Sequence, residues 1–211
     1  MSTGGSGYGG ATLRARARGL VSIVRVTDFD ASAHLTDAAK GDQKSWDAIV
    51  AQYSGLVWAV ARSYRLSTSD AADVYQATWL RLVEHITDIR DGARLGAWLC
   101  TTARHEALAL MRRGQRHVPT ADIELLGGVA QDASAPPVDE RLLRIEEHTA
   151  LRRAFGRLSE NCQRLLRVVF ADPAPSYAET SAALDIPVGS IGPTRARCLA
   201  NLQTLLSGAL A

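Results

Sequence analysis

Lysine is nearly missing from this sequence of 211 residues, since only Lys40 and Lys44 among its 24 basic side chains are lysines and the rest are arginines. Cysteine is also scarce: three widely spaced residues, an odd number, exclude a disulfide scaffold. No run approaches the ~18 apolar residues that a bilayer-spanning helix needs, so we expect no membrane partner. An excess of one charge is lacking too, because 22 acidic residues leave a net charge of only +2.

The residues that are present favour a folded helical protein. Hydrophobic residues make up 46% of the chain, enough to argue against wholesale disorder. Apolar side chains recur at steps of three and four, as on one face of a helix, and no strand pattern of any length occurs. We therefore predict an all-α fold: two small helical domains joined by a flexible linker, the C-terminal one containing a helix-turn-helix.

Changes in composition divide the chain into four segments. Residues 1–33 begin glycine-rich, and their apolar run is too short for a signal peptide, so we predict a flexible N-terminal extension, a cytoplasmic location and cysteines that are free thiols. Residues 34–113 and 141–211 show helical periodicity and are predicted to be the two domains. Residues 114–140 hold several Gly and Pro and are predicted to be a linker.

The small net charge conceals an uneven distribution. The linker has a net charge of −4, the C-terminal domain +3, and residues 90–113 alone +3. Two separated basic surfaces could contact a DNA duplex at two places. Solvated helix faces are the alternative explanation that charge alone leaves open.

The most specific local pattern lies in residues 176–206. Ser176 and Glu179 have the spacing of a capping box, which predicts the start of a short helix. A tight turn follows at residues 185–189, and Ser190 is expected to cap a second, longer helix with Pro193 in its first turn. This spacing fits a helix-turn-helix, whose second helix enters the DNA major groove, although an ordinary helical hairpin is the alternative.

Several motifs, in order, make the sequence similar to one known family, the extracytoplasmic-function (ECF) group of the sigma-70 family of bacterial RNA polymerase. Residues 176–179 (SYAE) and 184–190 (LDIPVGS) resemble its fourth conserved region. Residues 40–44 (KGDQK), 70–80 (DAADVYQATWL) and 97–113 resemble its second region. The resemblance covers about residues 34–206 and implies a dissociable, non-enzymatic subunit without cofactors.

The resemblance also implies partners for each domain. Residues 34–113 would bind core RNA polymerase, through its beta and beta-prime subunits, and would recognise and melt the −10 promoter element. Residues 141–211 would read the −35 element. Many family members are held inactive by an anti-sigma factor, which makes such a protein a candidate partner here.

Site residues follow from the matching motifs. The residues expected to bind core polymerase are Asp70, Asp73, Gln76 and Leu80. Ala77 departs from the family, which usually has an acidic residue there. The residues expected to bind −10 DNA are Arg94, Trp98, Arg104, His105, Arg112 and Arg113. His105 occupies a position where the family commonly has asparagine, so we expect an altered −10 preference.

The expected −35 reader is the start of the last helix. Its candidate residues are Ser190, Gly192, Pro193, Thr194, Arg195 and Arg197. Gly192, Pro193 and Thr194 replace the Lys, Ser and Arg that the family often has. Arg195 replaces a usual leucine, whereas Arg197 matches a usual arginine and can bind a guanine edge or a phosphate.

Other functions have weaker support. A DNA-binding regulator that works without polymerase would not need the segment 70–80. A small helical hydrolase or metal enzyme would need convergent ligands or a nucleophile with its base. Cys100 with His105, or His117 with Cys162, lacks metal-ligand spacing, so we expect no metal, no cofactor and no catalytic residue.

Overall fold

The computed structural model describes residues 29–114 and 138–208, with only the backbone described for 138–145. Secondary structure in these ranges is entirely helical, which confirms the predicted all-α class. The helices are α1 (Ala31–Ala39), α2 (Gln43–Ser63), α3 (Thr68–His85), α4 (Leu95–Arg112), α5 (Val138–Gly156), α6 (Glu160–Val169), α7 (Tyr177–Leu184) and α8 (Val188–Ser207). A 3₁₀ turn, Gly92–Arg94, precedes α4.

Polar residues define most helix starts, because a side-chain oxygen satisfies a free amide of the first turn. Asp42 caps α2, Ser67 caps α3 and Ser159 caps α6. Ser176 and Glu179 form the predicted capping box at α7. These helix starts can be recognised in the sequence, because the capping side chain and the backbone amide that donates to it are only three residues apart.

Some predicted boundaries are wrong by a few residues. Helix α1 is capped by Asp30 and begins at Ala31, inside the segment assigned to the N-terminal extension. Helix α5 begins at Val138, inside the predicted linker. The rest of the extension (1–28) and of the linker (115–137) lies outside the described residues.

The first half, α1 to α4, packs around α2. Ile49, Val57 and Val60 of α2 are fully buried and form a core with Leu82 of α3 and Leu99 of α4. Arg81 of α3 joins α4 through an ion pair with Glu106, Nε to Oε1 at 3.3 Å. The basic helix α4 is thereby held at a fixed position beside α3.

The second half, α5 to α8, contains a disulfide. Cys162 of α6 and Cys198 of α8 are bonded to each other, and both are buried. The expectation of free thiols is therefore wrong for this pair and holds only for Cys100. The two cysteines are 36 residues apart in the sequence, and this spacing alone does not predict that they pair. The pairing depends on how α6 and α8 cross.

Cys100 is expected to be chemically inert in the folded protein. It is fully buried in α4, and burial, together with the charge of Glu179, raises the pKa of its thiol far above the usual range. Only the thiolate reacts readily. A thiol-specific chromophoric disulfide should therefore detect no thiol in the native protein, one per chain after unfolding, and three after reduction and unfolding.

The two halves share one continuous core rather than standing apart. Helix α4 lies against α7, and α2 lies against α6. Tyr64, at the end of α2, donates its hydroxyl hydrogen to the carbonyl of Ala183 at 3.2 Å. This direct packing differs from the predicted arrangement of two domains joined only by a linker.

Candidate functional site

Helix α3 presents an exposed face of mixed polarity. Asp73, Gln76, Leu80 and Val83 follow one another at helical spacing and are all exposed, with Leu80 60% and Val83 55% accessible. Such large aliphatic side chains are normally covered in a folded protein when they occur side by side. This surface, which we call the α3 face, has the composition of a protein-binding site.

The α3 face includes three of the four residues predicted to bind polymerase. The fourth, Asp70, is half-buried in the first turn, where its amide donates to Ser67 Oγ at 3.0 Å. Val83 lies on the same face, although it is not among the residues predicted from the sequence. Its position, three residues after Leu80, is the signal that could have assigned it to the exposed face.

The predicted −10 residues on and beside α4 differ in accessibility. Arg94, His105, Arg112 and Arg113 are exposed. Trp98 is half-buried and packs against the core. The basic residues therefore occupy both ends of the helix, while its middle is largely covered.

Arg104 is the most enclosed member of this set. Its side chain is only 17% exposed, and Nη1 lies 2.8 Å from Oδ2 of Asp185 in the second half. Its Nε is buried and makes no hydrogen bond with any residue that the structure describes. In this arrangement Arg104 is directed to the protein rather than to solvent.

The predicted −35 reader lies in an observed helix-turn-helix. Helix α7 ends at Leu184, and the next residue, Asp185, has a φ of 59° that reverses the chain direction. Helix α8 then begins at Val188 after Pro187, so the expectation that Ser190 caps it is wrong. Ser190 instead donates its hydroxyl hydrogen to the Pro187 carbonyl at 2.7 Å.

The start of α8 is accessible. Pro193 and Arg197 are exposed, whereas Ser190, Gly192, Thr194 and Arg195 are half-buried. Arg197 donates to Thr194 Oγ1 at 3.3 Å, and the Arg195 guanidinium lies 5.4 Å from the centre of the Phe170 ring. Tyr177, the first residue of α7, is 48% exposed and so does not fill the space between the two helices.

The described ranges contain no cluster of His, Cys, Asp and Glu able to hold a metal ion. None of the helices in those ranges is long and apolar enough to cross a membrane.

Known proteins are similar to this chain in both sequence and fold. The family model for sigma-70 region 2 matches residues 49–117, the stretch that contains most of α2, the α3 face and α4. The ECF RNA polymerase sigma-E factor of Escherichia coli K12 is 26% identical, over 72% of this chain and 81% of its own. In sequence, the chain is therefore similar to ECF sigma factors.

Further relatives agree with this assignment. The RNA polymerase sigma factor CnrH of Cupriavidus metallidurans is 26% identical, over 80% of this chain and 90% of its own. The solved structure of CnrH in complex with the cytosolic domain of CnrY has a TM-score of 0.53, with 22% identity over 85% of this chain and 99% of that one.

A second solved structure has the same fold. The sigma factor RpoE from Bartonella quintana, in complex with the anti-sigma factor NepR, has a TM-score of 0.52 and 22% identity over 78% of this chain and 98% of that one. The family model and the relatives support a sigma-factor function with RNA polymerase for this chain. Its relatives are regulatory proteins, which agrees with a non-enzymatic role.

Proposed function

We propose that this protein binds core RNA polymerase, directs it to −35 and −10 promoter elements and helps to melt the −10 region. The observation that carries the proposal is that one rigid unit combines the α3 face with the basic helix α4. A regulator that acts without polymerase has no need of the α3 face. We therefore do not favour that alternative.

The α3 face is the proposed polymerase contact. Leu80 and Val83 supply apolar area at its centre, and Asp73 and Gln76 supply a carboxylate and an amide at one side. Interfaces of this kind combine an apolar centre with a polar rim. The partner surface would lie on the beta-prime subunit, with the second half near the beta subunit.

Helix α4 is the proposed −10 reader. Arg94, Arg112 and Arg113 are exposed and can neutralise phosphates, while strand opening needs groups that stack on or enclose an unpaired base. The imidazole of exposed His105 can stack on such a base or help to enclose it. Arg104 and Trp98 support this role only if the surface around them becomes more accessible.

His105 is expected to shape −10 preference. Replacing its ring with a carboxamide in His105→Asn changes both stacking and hydrogen-bond geometry at one exposed position. Transcription of a promoter library with randomised −10 elements should change its ranking. An unchanged ranking would remove His105 from the reading surface, and thermal melting of both proteins controls for folding.

Arg197 is expected to contribute to −35 binding. It is exposed on α8, and Arg197→Ala should weaken binding by about 1–3 kcal/mol if the guanidinium contacts a base edge. Binding of holoenzyme to labelled promoter DNA measures this loss. Gln203→Ala, an exposed change further along α8, is the control, and equal affinities for all three proteins would contradict the role.

The test of the proposed function is run-off transcription. Purified protein is added to core polymerase on fragmented genomic DNA, and the 5′ ends of the transcripts are sequenced. New start sites that share upstream elements are expected. No transcript above that of core polymerase alone would overturn the proposal.

We also propose an anti-sigma factor as a partner. The proposed place of action is the cytoplasm, because RNA polymerase is there. The support is the likeness to RpoE, which was solved with the anti-sigma factor NepR. Affinity purification of the tagged protein from its own cells should recover a protein that inhibits the run-off reaction. Recovery of polymerase subunits alone would count against this partner.

A further inference from the structure

The disulfide of the second half fixes the helix that contains the proposed −35 residues. Cys162 lies in the first turn of α6, and Cys198 lies in the middle of α8. Cys198 directly follows Arg197 in the sequence and is three residues after Arg195. The buried residues of α8 are few, namely Ile191 and Cys198. The bond therefore holds α8 beside its proposed DNA-binding arginines, at a point where little other buried surface does so.

The partner helix, α6, is itself firmly anchored. Gln163, one residue after the bonded cysteine, donates to the carbonyls of Gly156 and Leu158 at 3.1 and 2.8 Å. These bonds join α6 to the end of α5. Leu165 of α6 is buried in the core that both halves share. The disulfide thus connects α8 to a helix whose own position is well defined.

The start of α8 is held mainly by contacts within the helix-turn-helix. Ser181 donates its hydroxyl hydrogen to the Ile186 carbonyl at 2.6 Å, which fixes the turn between α7 and α8. A groove lined by Leu165, Ile186 and Thr194 separates α6 from the start of α8, so the packing of these two helices is incomplete there. Without the disulfide, noncovalent packing alone would set the position of α8 relative to α6.

The proposed cytoplasmic location makes this bond unusual. Small thiols keep cytosolic cysteines reduced, and the disulfides that do form there are usually transient and catalytic or redox-sensing. Cys162 is 8% exposed and Cys198 only 1%, so the sulfur of Cys162 is the one that a small thiol reaches more easily. Cys100 does not compete for either cysteine, because it is fully buried in α4.

We infer that Cys162 and Cys198 are a reversible thiol pair that reacts with small thiols and their disulfides, and that the bonded state places α8 for −35 binding. The DNA part of this inference rests on the proposed function. The bonded protein is the form with high promoter affinity. The reduced protein, in which packing alone holds α8, is the form with low affinity. Oxidising conditions therefore raise transcription from its promoters.

Both directions of the reaction are thiol–disulfide exchange. In reduction, a small thiolate attacks the sulfur of Cys162 and forms a mixed disulfide, and Cys198 leaves as a thiolate that takes up a proton. A second small thiolate attacks the other sulfur of the mixed disulfide, which releases Cys162 and one molecule of the small disulfide. Oxidation is the reverse: two protein thiols are oxidised, and one small disulfide is reduced to two thiols.

A glutathione titration tests the thiol pair. The protein is equilibrated at a series of ratios of reduced to oxidised glutathione, quenched with acid, unfolded and labelled with a maleimide polymer that adds mass at each free thiol. The number of labelled thiols should change from one, at Cys100, to three as the ratio rises. One labelled thiol at every ratio would show a permanent structural bond, and three at every ratio would show that the bond does not form. Either result would overturn the inference.

Amide hydrogen exchange reports on α8 without polymerase. Residues 188–207 should exchange faster in the reduced protein than in the bonded protein, whereas α2 should exchange equally in both. Cys162→Ala/Cys198→Ala should exchange like the reduced protein in either buffer, and Cys100→Ala should behave as the original protein does. Equal exchange of α8 in the two states of the original protein would overturn the placement of α8 by the bond. That comparison stands even if the double variant fails to fold.

Promoter affinity is measured with holoenzyme and labelled promoter DNA in oxidising and reducing buffer. If reduction leaves α8 in its reading position in about one molecule in ten, the affinity should fall about tenfold. Holoenzyme that contains Cys162→Ala/Cys198→Ala is the control for effects of the buffers on core polymerase. Its affinity should be low and the same in both buffers.

The outcomes separate this inference from the proposed function. A change of thiol number and of α8 exchange, with no promoter binding by any form, would support the thiol pair and overturn the sigma role. Promoter binding that is equal in both redox states would leave the sigma role intact and overturn the control of promoter binding by the bond.

Discussion

Loss of the Cys162–Cys198 bond is expected to lower the free energy of unfolding by about 3–4 kcal/mol, because the bond closes a long loop in the unfolded chain. The cysteines are 36 residues apart in sequence. The effect should be concentrated in the second half, where Cys198 and Ile191 are the buried residues of α8. With the bond broken, α8 keeps few buried anchors to α6.

Urea denaturation with and without a thiol reductant measures this loss. The double variant Cys162→Ala/Cys198→Ala should resemble the reduced protein and should not respond to reductant. Cys100→Ala should respond as the original protein does, because Cys100 is not in the bond. An unfolding midpoint that reductant leaves unchanged in the original protein would contradict the bond.

Introducing charge on the α3 face should abolish polymerase binding. In Leu80→Asp/Val83→Asp, two exposed apolar side chains become carboxylates at the centre of the proposed interface. A carboxylate left unpaired in a desolvated interface centre costs several kcal/mol, so the affinity for core polymerase should fall by about a hundredfold or more. Transcription should be lost in parallel.

This prediction separates binding from folding. Both residues are more than half exposed, so the variant should melt at close to the original temperature. Ala51→Asp places the same charge at an exposed position of α2 and should bind core polymerase normally. Normal binding by the double variant would show that the polymerase contact lies elsewhere.

Local features of the fold were predictable from the sequence. Helix starts at Ser67 and Ser176 follow from a polar cap and its partner three residues away, an interaction that needs no tertiary structure. The short helix, turn and long helix of residues 176–206 follow from the same local rules. Ser190 was wrongly expected to cap α8 because the helix begins at Val188, two residues earlier.

The candidate site was predictable to a lesser degree. Asp73, Gln76 and Leu80 lie on the exposed face, whereas Val83, on the same face, is not among the residues predicted from the sequence. An apolar residue at helical spacing looks the same whether it faces a core or a partner protein. The accessibility of Val83 depends on the absence of a covering helix, which is a property of the packed structure.

The helical class, the caps at Ser67 and Ser176 and the resemblance to ECF sigma factors can be read from the sequence, because short-range periodicity and ordered motifs encode them. The Cys162–Cys198 bond, the pairing of Arg104 with Asp185 and the contact of Gly55 with Asp172 become visible only in the folded chain. Each of these contacts joins residues far apart in the chain. Their formation depends on the relative placement of helices, which local pattern does not specify.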